Sequence, residues 1–239
     1  MPRKLTTTAK PYTTKGALKK LRQKALADFT KTHRAREEAL RLSRETIRRS
    51  ADSIRATHRN EFSNARKLVK EAADLISKLG GNLKNQPKLY FAGYVEDAQK
   101  EFTEASATLA FIEGDPIPDA KSLGVNMAPY MNGLAEAASE LRRYILDSLR
   151  KDDFSRCEEL LDIMDQVYTI LVSMDFPDAV TNGLRRNTYM VRGVLERTRG
   201  DLTVALRQRR FCLLYTSPSP RDQRGSGEGG WGGKKNGWG

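Results

Sequence analysis

The sequence predicts an all-α protein built as a helical bundle, and three observations carry that prediction. Apolar residues recur at intervals of three and four over long windows. Proline and glycine are absent from Ala17 to Leu79. No segment alternates with the period of two that marks a strand, and no segment repeats.

The elements follow in order. Residues 1–15 lack a period and read as a flexible basic tail. Helix can then run uninterrupted toward Leu79, with Leu40, Ile47, Ala51, Ile54, Phe62, Ala65 and Val69 on one apolar stripe, until Gly80-Gly81 stops it. A second long helix is expected from Gln86 to Glu113, with Phe91, Val95, Ala98, Phe102, Ala105, Leu109 and Ile112 as its seam and Gly114 as its end. A short turn or helix covers Asp119–Leu123. A third strong helix spans Ala128 to about Lys151, with Leu134, Ala138, Leu141, Ile145 and Leu149 on one face. Asp153 is placed to cap the next, which carries Leu160, Ile163, Val167 and Leu171. Pro177 opens the last, which runs to about Arg209. The helical domain is therefore residues 16–210. Residues 211–239 are Gly-, Ser- and Pro-rich without a period and read as disordered. CLLYTSPSPRD resembles translated sequencing-adapter sequence, so this tail reads as non-native and the natural C-terminus as missing. A Gly/Trp-rich nucleic-acid tail is the competing reading.

No apolar run approaches the roughly 18 residues of a membrane span, and the basic start lacks the apolar stretch of a secretory signal. Cys157 and Cys212 form no CxxC pair, which makes a reducing, cytoplasmic setting the expectation. The net charge of +12 is unevenly spread. Residues 1–70 hold 20 Lys+Arg against 6 Asp+Glu, whereas the remainder holds 22 against 24. Such asymmetry favours a polyanionic partner, nucleic acid or an acidic membrane surface, over a merely solvated arm.

Two constellations could carry function. On a helical wheel Arg41, Arg44, Arg48, Arg55, Arg59 and Arg66 fall within about 60° of one another. Six guanidiniums in a row suit successive phosphates, and few carboxylates stand near them in sequence to pair with them. Asp52 interrupts the row. The bland alternative is a solvated face laced with salt bridges. His58 falls on the apolar face, where a packed histidine is expected rather than a ligand. The second constellation is acidic. Glu101 and Glu104 share one helix face, with Asp97 a turn earlier, and Glu136 and Glu140 share another. Two such pairs on facing helices could gather four carboxylates, the hard oxygen ligands that Mg²⁺ prefers. Spacing alone leaves this weak: Glu136 and Glu140 lie opposite their helix's apolar stripe, and Glu140 could simply pair with Arg143. Glu158, Glu159 and Asp162 read as ordinary exposed acids.

Three segments resemble the translin family, and within it the RNA-cleaving branch, translin-associated factor X. They are LSRETIRRSADSIRATHR (Leu42–Arg59), KEFTEASATLAFI (Lys100–Ile112) and YMNGLAEAASELRRYILDSLRKDD (Tyr130–Asp153), the last with Gly133, Glu140, Leu141, Ser148 and Asp152 in place. The similarity spans about residues 16–209. It implies a translin-like bundle of about seven helices, assembled into a hollow octamer with RNA enclosed. It also implies that Glu101, Glu104, Glu136 and Glu140 occupy the metal-binding, catalytic positions. The nuclease branch typically has Asp where Glu136 stands, a change that keeps the charge and lengthens the arm. Translin itself, the binding branch, lacks the full acidic set.

The resulting expectation is a Mg²⁺-dependent (alternatively Mn²⁺-dependent) endoribonuclease acting on single-stranded RNA, with single-stranded DNA as a further ligand. It would be a homo-oligomer, with a translin-type partner subunit as the other arrangement. The alternatives are a non-catalytic single-strand binder using only the basic stripe, and a structural or membrane-surface bundle.

Overall fold

Residues 14–216 are described by the computed structural model, and among them lie nine helices and no strand. They are α1 (Thr14–His58), α2 (Phe62–Leu83), α3 (Pro87–Tyr90), α4 (Gly93–Glu113), α5 (Ala120–Leu123), α6 (Met127–Leu149), α7 (Cys157–Val172), α8 (Asp178–Thr181) and α9 (Leu184–Thr216). The expected tails lie outside the described residues, except that Thr14 and Lys15 begin α1 and 211–216 end α9. Six long helices build the all-α bundle. Three single-turn helices, α3, α5 and α8, join them.

The helix expected to run unbroken to Leu79 is broken at Arg59–Glu61. Asn60 adopts a left-handed conformation (φ 60°), and Glu61 N–H donates to the Ala56 carbonyl at 2.9 Å. Asparagine enters that region at modest cost, so the chain reverses without glycine or proline. The expected stop at Gly80-Gly81 is also corrected. Both glycines are helical, and α2 runs on to Leu83. Burial of Leu79 and Leu83 at 1% exposure outweighs the roughly 1 kcal/mol that each helical glycine costs.

The second expected helix divides at Phe91 and Ala92. Phe91 is exposed and leaves the seam, whereas Val95, Ala98, Phe102, Ala105, Leu109 and Ile112 are buried as expected. Gly114 ends α4 in the left-handed region (φ 78°). There the Arg156 guanidinium donates to the carbonyls of Phe111 and Ile112, placing a cation on the helix's negative end. Asp153 does not cap α7; it accepts from Ser155 N–H at 3.0 Å, and Arg156 holds the cap position. Pro177 opens only α8, after which Asn182 (φ 50°) and Gly183 (φ 82°) turn the chain into α9.

The predicted stripe is only partly the buried face: its Ile54 on α1 and Ala65 on α2 are buried. Leu40, Ile47 and Ala51 are half-buried, while Leu42, Ser43, Thr46, Ser50, Ser53 and Thr57 are fully buried. The core face is thus rotated by about 100° from the apolar one. These small residues let α2 and α4 come close, and Thr46, Ser53 and Thr57 satisfy their hydroxyls on backbone carbonyls at 2.9–3.1 Å. At the centre, α4 packs on α1, α2 and α6, and α6 packs on α4, α7 and α9.

Candidate metal centre and nucleic-acid surface

The crossing of α4 and α6 is set by Gly133. A Cβ there would sit 2.5 Å from the Lys100 carbonyl oxygen and 2.7 Å from Thr103 Cβ. Only glycine allows this approach. Glu136 follows Gly133 by one helical turn, and Lys100, Glu101 and Glu104 surround the contact on α4. Close backbones therefore bring short-reaching carboxylates together.

Glu101, Glu104 and Glu136 each offer a carboxylate oxygen, and the three oxygens lie within 4.8 Å of one another. Contrary to the wheel, Glu136 does not face open solvent; its side chain is 24% exposed. Burial pushes the Glu104 carboxyl up to about 8, with Glu101, Glu136 and Glu140 adding repulsion and Lys100 opposing it. Burial also raises Glu101, partly offset by Lys100. The Lys100 ammonium lies 2.8 Å from Glu136 Oε1 and 3.5 Å from Glu101 Oε1. Burial works against its charge, but Glu136, Glu101 and Asp97 together hold its proton more firmly than usual.

Glu140 stands outside this set of three. Its Oε2 lies 2.5 Å from His58 Nε2, and that hydrogen bond holds its carboxyl below the usual range. It does not pair with Arg143. His58 is packed as expected, with a 4% exposed ring, yet it also holds an acid from α6.

The cluster fits a divalent cation. Its donors are hard oxygens, and trans ligands of an octahedral Mg²⁺ stand about 4.2 Å apart. Cis ligands stand about 3 Å apart, so the three oxygens, which lie within 4.8 Å of one another, would draw inward on a bound ion. Three carboxylates with one ammonium leave uncompensated negative charge, which adds to the burial that keeps a proton on Glu104 near neutrality.

The arginine stripe is arranged differently from the prediction. Arg41, Arg44, Arg48 and Arg55 lie on α1, but Arg59 sits in the turn and Arg66 on α2. Five are paired: Arg41 with Glu38, Arg48 with Glu45, Arg55 with Asp52, Arg59 with Glu61 and Arg66 with Glu113. The expectation of few nearby carboxylates is corrected: acids three positions back serve Arg41, Arg48 and Arg55, Glu61 in the turn serves Arg59, and Glu113 at the end of α4 serves Arg66. Arg44 has no ion pair among the described residues. The paired guanidiniums are all more than half exposed, and such pairs contribute little and yield readily to phosphate.

Beside the acidic trio lies a cavity of about 700 Å³, walled by Lys100 and Glu136 on one side and by Asn182, Arg186 and Asn187 on the other. Sequence reasoning missed this wall and the His58–Glu140 contact. The partners are 82 residues apart in one case and on different helices in the other, and neither pairing follows a helical period.

Fold and site define an all-α bundle with a half-buried carboxylate cluster at its α4–α6 crossing. The chain is 35% identical over 169 residues to an uncharacterised protein of Methanocaldococcus jannaschii, covering 70% of this chain and 74% of the relative. It is 33% identical to AfC3PO, whose structure with duplex RNA superposes with a TM-score of 0.74 over 78% of this chain and 97% of that one. NeC3PO shares the fold at 20% identity and a TM-score of 0.69, over 83% of this chain and 99% of that one. No protein-family model matches the chain. The chain belongs to the translin family, with the C3PO proteins. Among the described residues no helix is long and apolar enough to cross a membrane.

Proposed function

We propose that this protein is a Mg²⁺-dependent endoribonuclease of the translin-associated factor X type, with Mn²⁺ as an alternative ion. The observation that carries the reading is the convergence of Glu101, Glu104 and Glu136 within 4.8 Å at the α4–α6 crossing. By the sequence resemblance, the same residues would stand at the acidic positions of the family's nuclease branch, with Glu136 where that branch typically has Asp. Bound there, the ion would activate water and stabilise charge growing on a phosphate. Glu101, Glu104 and Glu136 would hold it, and Glu104 would release its proton as it does so. Glu140, fixed by His58, borders the site and would orient what enters it. Arg44 and the weakly paired arginines would attract the backbone.

RNA as the ligand is supported by AfC3PO, a relative solved with duplex RNA. Single-stranded RNA as the cleaved form, single-stranded DNA as a second ligand, and assembly as a homo-octamer or with a translin-type partner belong to the same proposal. A metal-free single-strand binder is the second reading, and Lys100 favours it: its ammonium already gives Glu136 and Glu101 a counter-charge. Cleavage of labelled single-stranded and duplex RNA, with Mg²⁺ and with a chelator, separates the two. Chelator-sensitive cutting is expected. Binding without cutting in any divalent ion assigns the protein to the second reading.

A further inference from the structure

We infer that the cavity beside the acidic trio is a nucleotide subsite, with Arg186 as the group that grips its phosphate; this rests on the ribonuclease reading and extends it to the substrate's own contacts. The cavity holds about 700 Å³, within the range of small-ligand sites and large enough for one nucleotide. Its polar groups converge from three helices and a turn: Lys100 with the acids Glu96 and Asp97 from α4, Asn132 and Glu136 from α6, Asn182 from the α8–α9 turn, and Arg186 and Asn187 from α9.

This wall is built, not incidental. Asn132 is 3% exposed; its amide donates to the Thr181 carbonyl at 2.8 Å, and its oxygen accepts from Asn187 Nδ2 at 2.8 Å. That bond aligns the start of α9 with α6. Asn182 donates to Glu96 at 3.2 Å and is fixed in a left-handed conformation. Pro129 and Met190 supply apolar surface against which a base or ribose can lie.

Arg186 is the exception in this ordered wall. It makes no ion pair and no side-chain hydrogen bond among the described residues. The cavity's other cation, Lys100, is held by Glu136 and Glu101. A phosphate approaching the trio meets carboxylates on one side and needs positive charge on the other. Arg186 offers it across the cavity, with planar bidentate geometry that lysine lacks. The predicted arginines of α1 are worse placed for this role, because they lie on the helix face opposite the core and three of the four are already paired.

The test uses the full chain and two variants, Arg186→Gln and Arg186→Lys, with thermal melts as a fold control. Adenosine 5′-monophosphate is titrated calorimetrically with Mg²⁺ present, and RNA cleavage is measured under single-turnover conditions. Arg186→Gln should weaken nucleotide binding at least tenfold and raise the half-saturating RNA concentration by a similar factor. Arg186→Lys should recover part of both, and the melts should coincide. If the parent cleaves RNA and both variants match it in rate and half-saturation, the subsite is wrong and the nuclease reading survives. If the parent binds the nucleotide through Arg186 but never cleaves, the subsite stands and the nuclease reading falls. Nucleotide binding indifferent to Arg186 overturns the subsite in either case.

Discussion

The α4–α6 crossing and the exposed flank of α1 are both charged, but their charges are in opposite physical states. On α1, arginines and carboxylates alternate around a solvated helix, most are paired with near neighbours in sequence, and water screens them. At the crossing, three acids from two helices are forced together by close backbone contact, with one lysine to answer them. The lesson is that charge count along the chain locates a surface, whereas electrostatic tension locates a site. The flank has more charges. Shifts on the flank come from its exposed pairs and favour the charged forms, whereas the crossing has carboxyls that burial pushes toward the neutral form, above all Glu104 at about 8.

The largest expected effect tests whether that tension serves catalysis. Glu104→Gln removes a ligand while keeping shape, and should lower RNA cleavage on the order of a thousandfold. RNA affinity measured in chelator should stay within about threefold, because the contacts made without metal are untouched. Equal cleavage by variant and parent would remove Glu104 from the site.

Next in size is the contact that creates the tension. Gly133→Ala places a Cβ against the Lys100 carbonyl and Thr103, backbone and helix-borne atoms that cannot swing aside. Overpacking of this kind costs about 1–3 kcal/mol, so a drop in denaturation midpoint is expected. The helices should part enough to weaken Mg²⁺ binding as well. Unchanged stability and metal affinity would mean that the crossing adapts freely.

The proton on Glu104 gives a pH signature. Its folded pKa lies above the unfolded value of 4.5, so the protonated form is the one folding favours. Metal-free stability should therefore fall as pH rises from about 4.5 through about 8, and level off above. Glu104→Gln should flatten that slope, which thermal melts in chelator would show. Mg²⁺ must displace the same proton, so its apparent affinity should rise up to tenfold per pH unit below about 8 and then plateau. A pH-independent affinity across that window would contradict the assignment.

The contrast also explains what could be read from sequence. The seam of α4 from Val95 to Ile112 and the face of α6 from Leu134 to Ile145 were legible because burial there follows one helical period. The break at Asn60 was not, since nothing but a left-handed asparagine makes it. The core face of α1 was misjudged because close packing there selects small Ser and Thr over the larger Leu40 and Ile47. Glu101, Glu104, Glu136 and Glu140 were all named, but wheel logic put Glu136 on the outside, because a wheel knows one helix and not its neighbour. His58's hold on Glu140, and the cavity wall of Asn182, Arg186 and Asn187, arise from contacts between helices that no local period encodes.

The smallest effects belong to the flank. Arg41→Gln, Arg48→Gln and Arg55→Gln each remove an exposed guanidinium already shared with a carboxylate, so each should weaken RNA binding by less than about threefold and leave the thermal midpoint almost unchanged. Arg44→Gln removes the one cation of the predicted row without an ion pair among the described residues. It should exceed the other three in its effect on binding, because no local acid has to be displaced for it to meet a phosphate. In a salt titration each loss should reduce the slope of log affinity against log salt by at most about one. The Arg44 variant should approach that limit and the paired positions fall short of it. If all four variants bind RNA as the parent does at low salt, the flank is a solvated salt-bridged face. Attraction of the polyanion then falls to other cations, with Arg186 at the cavity the first to examine.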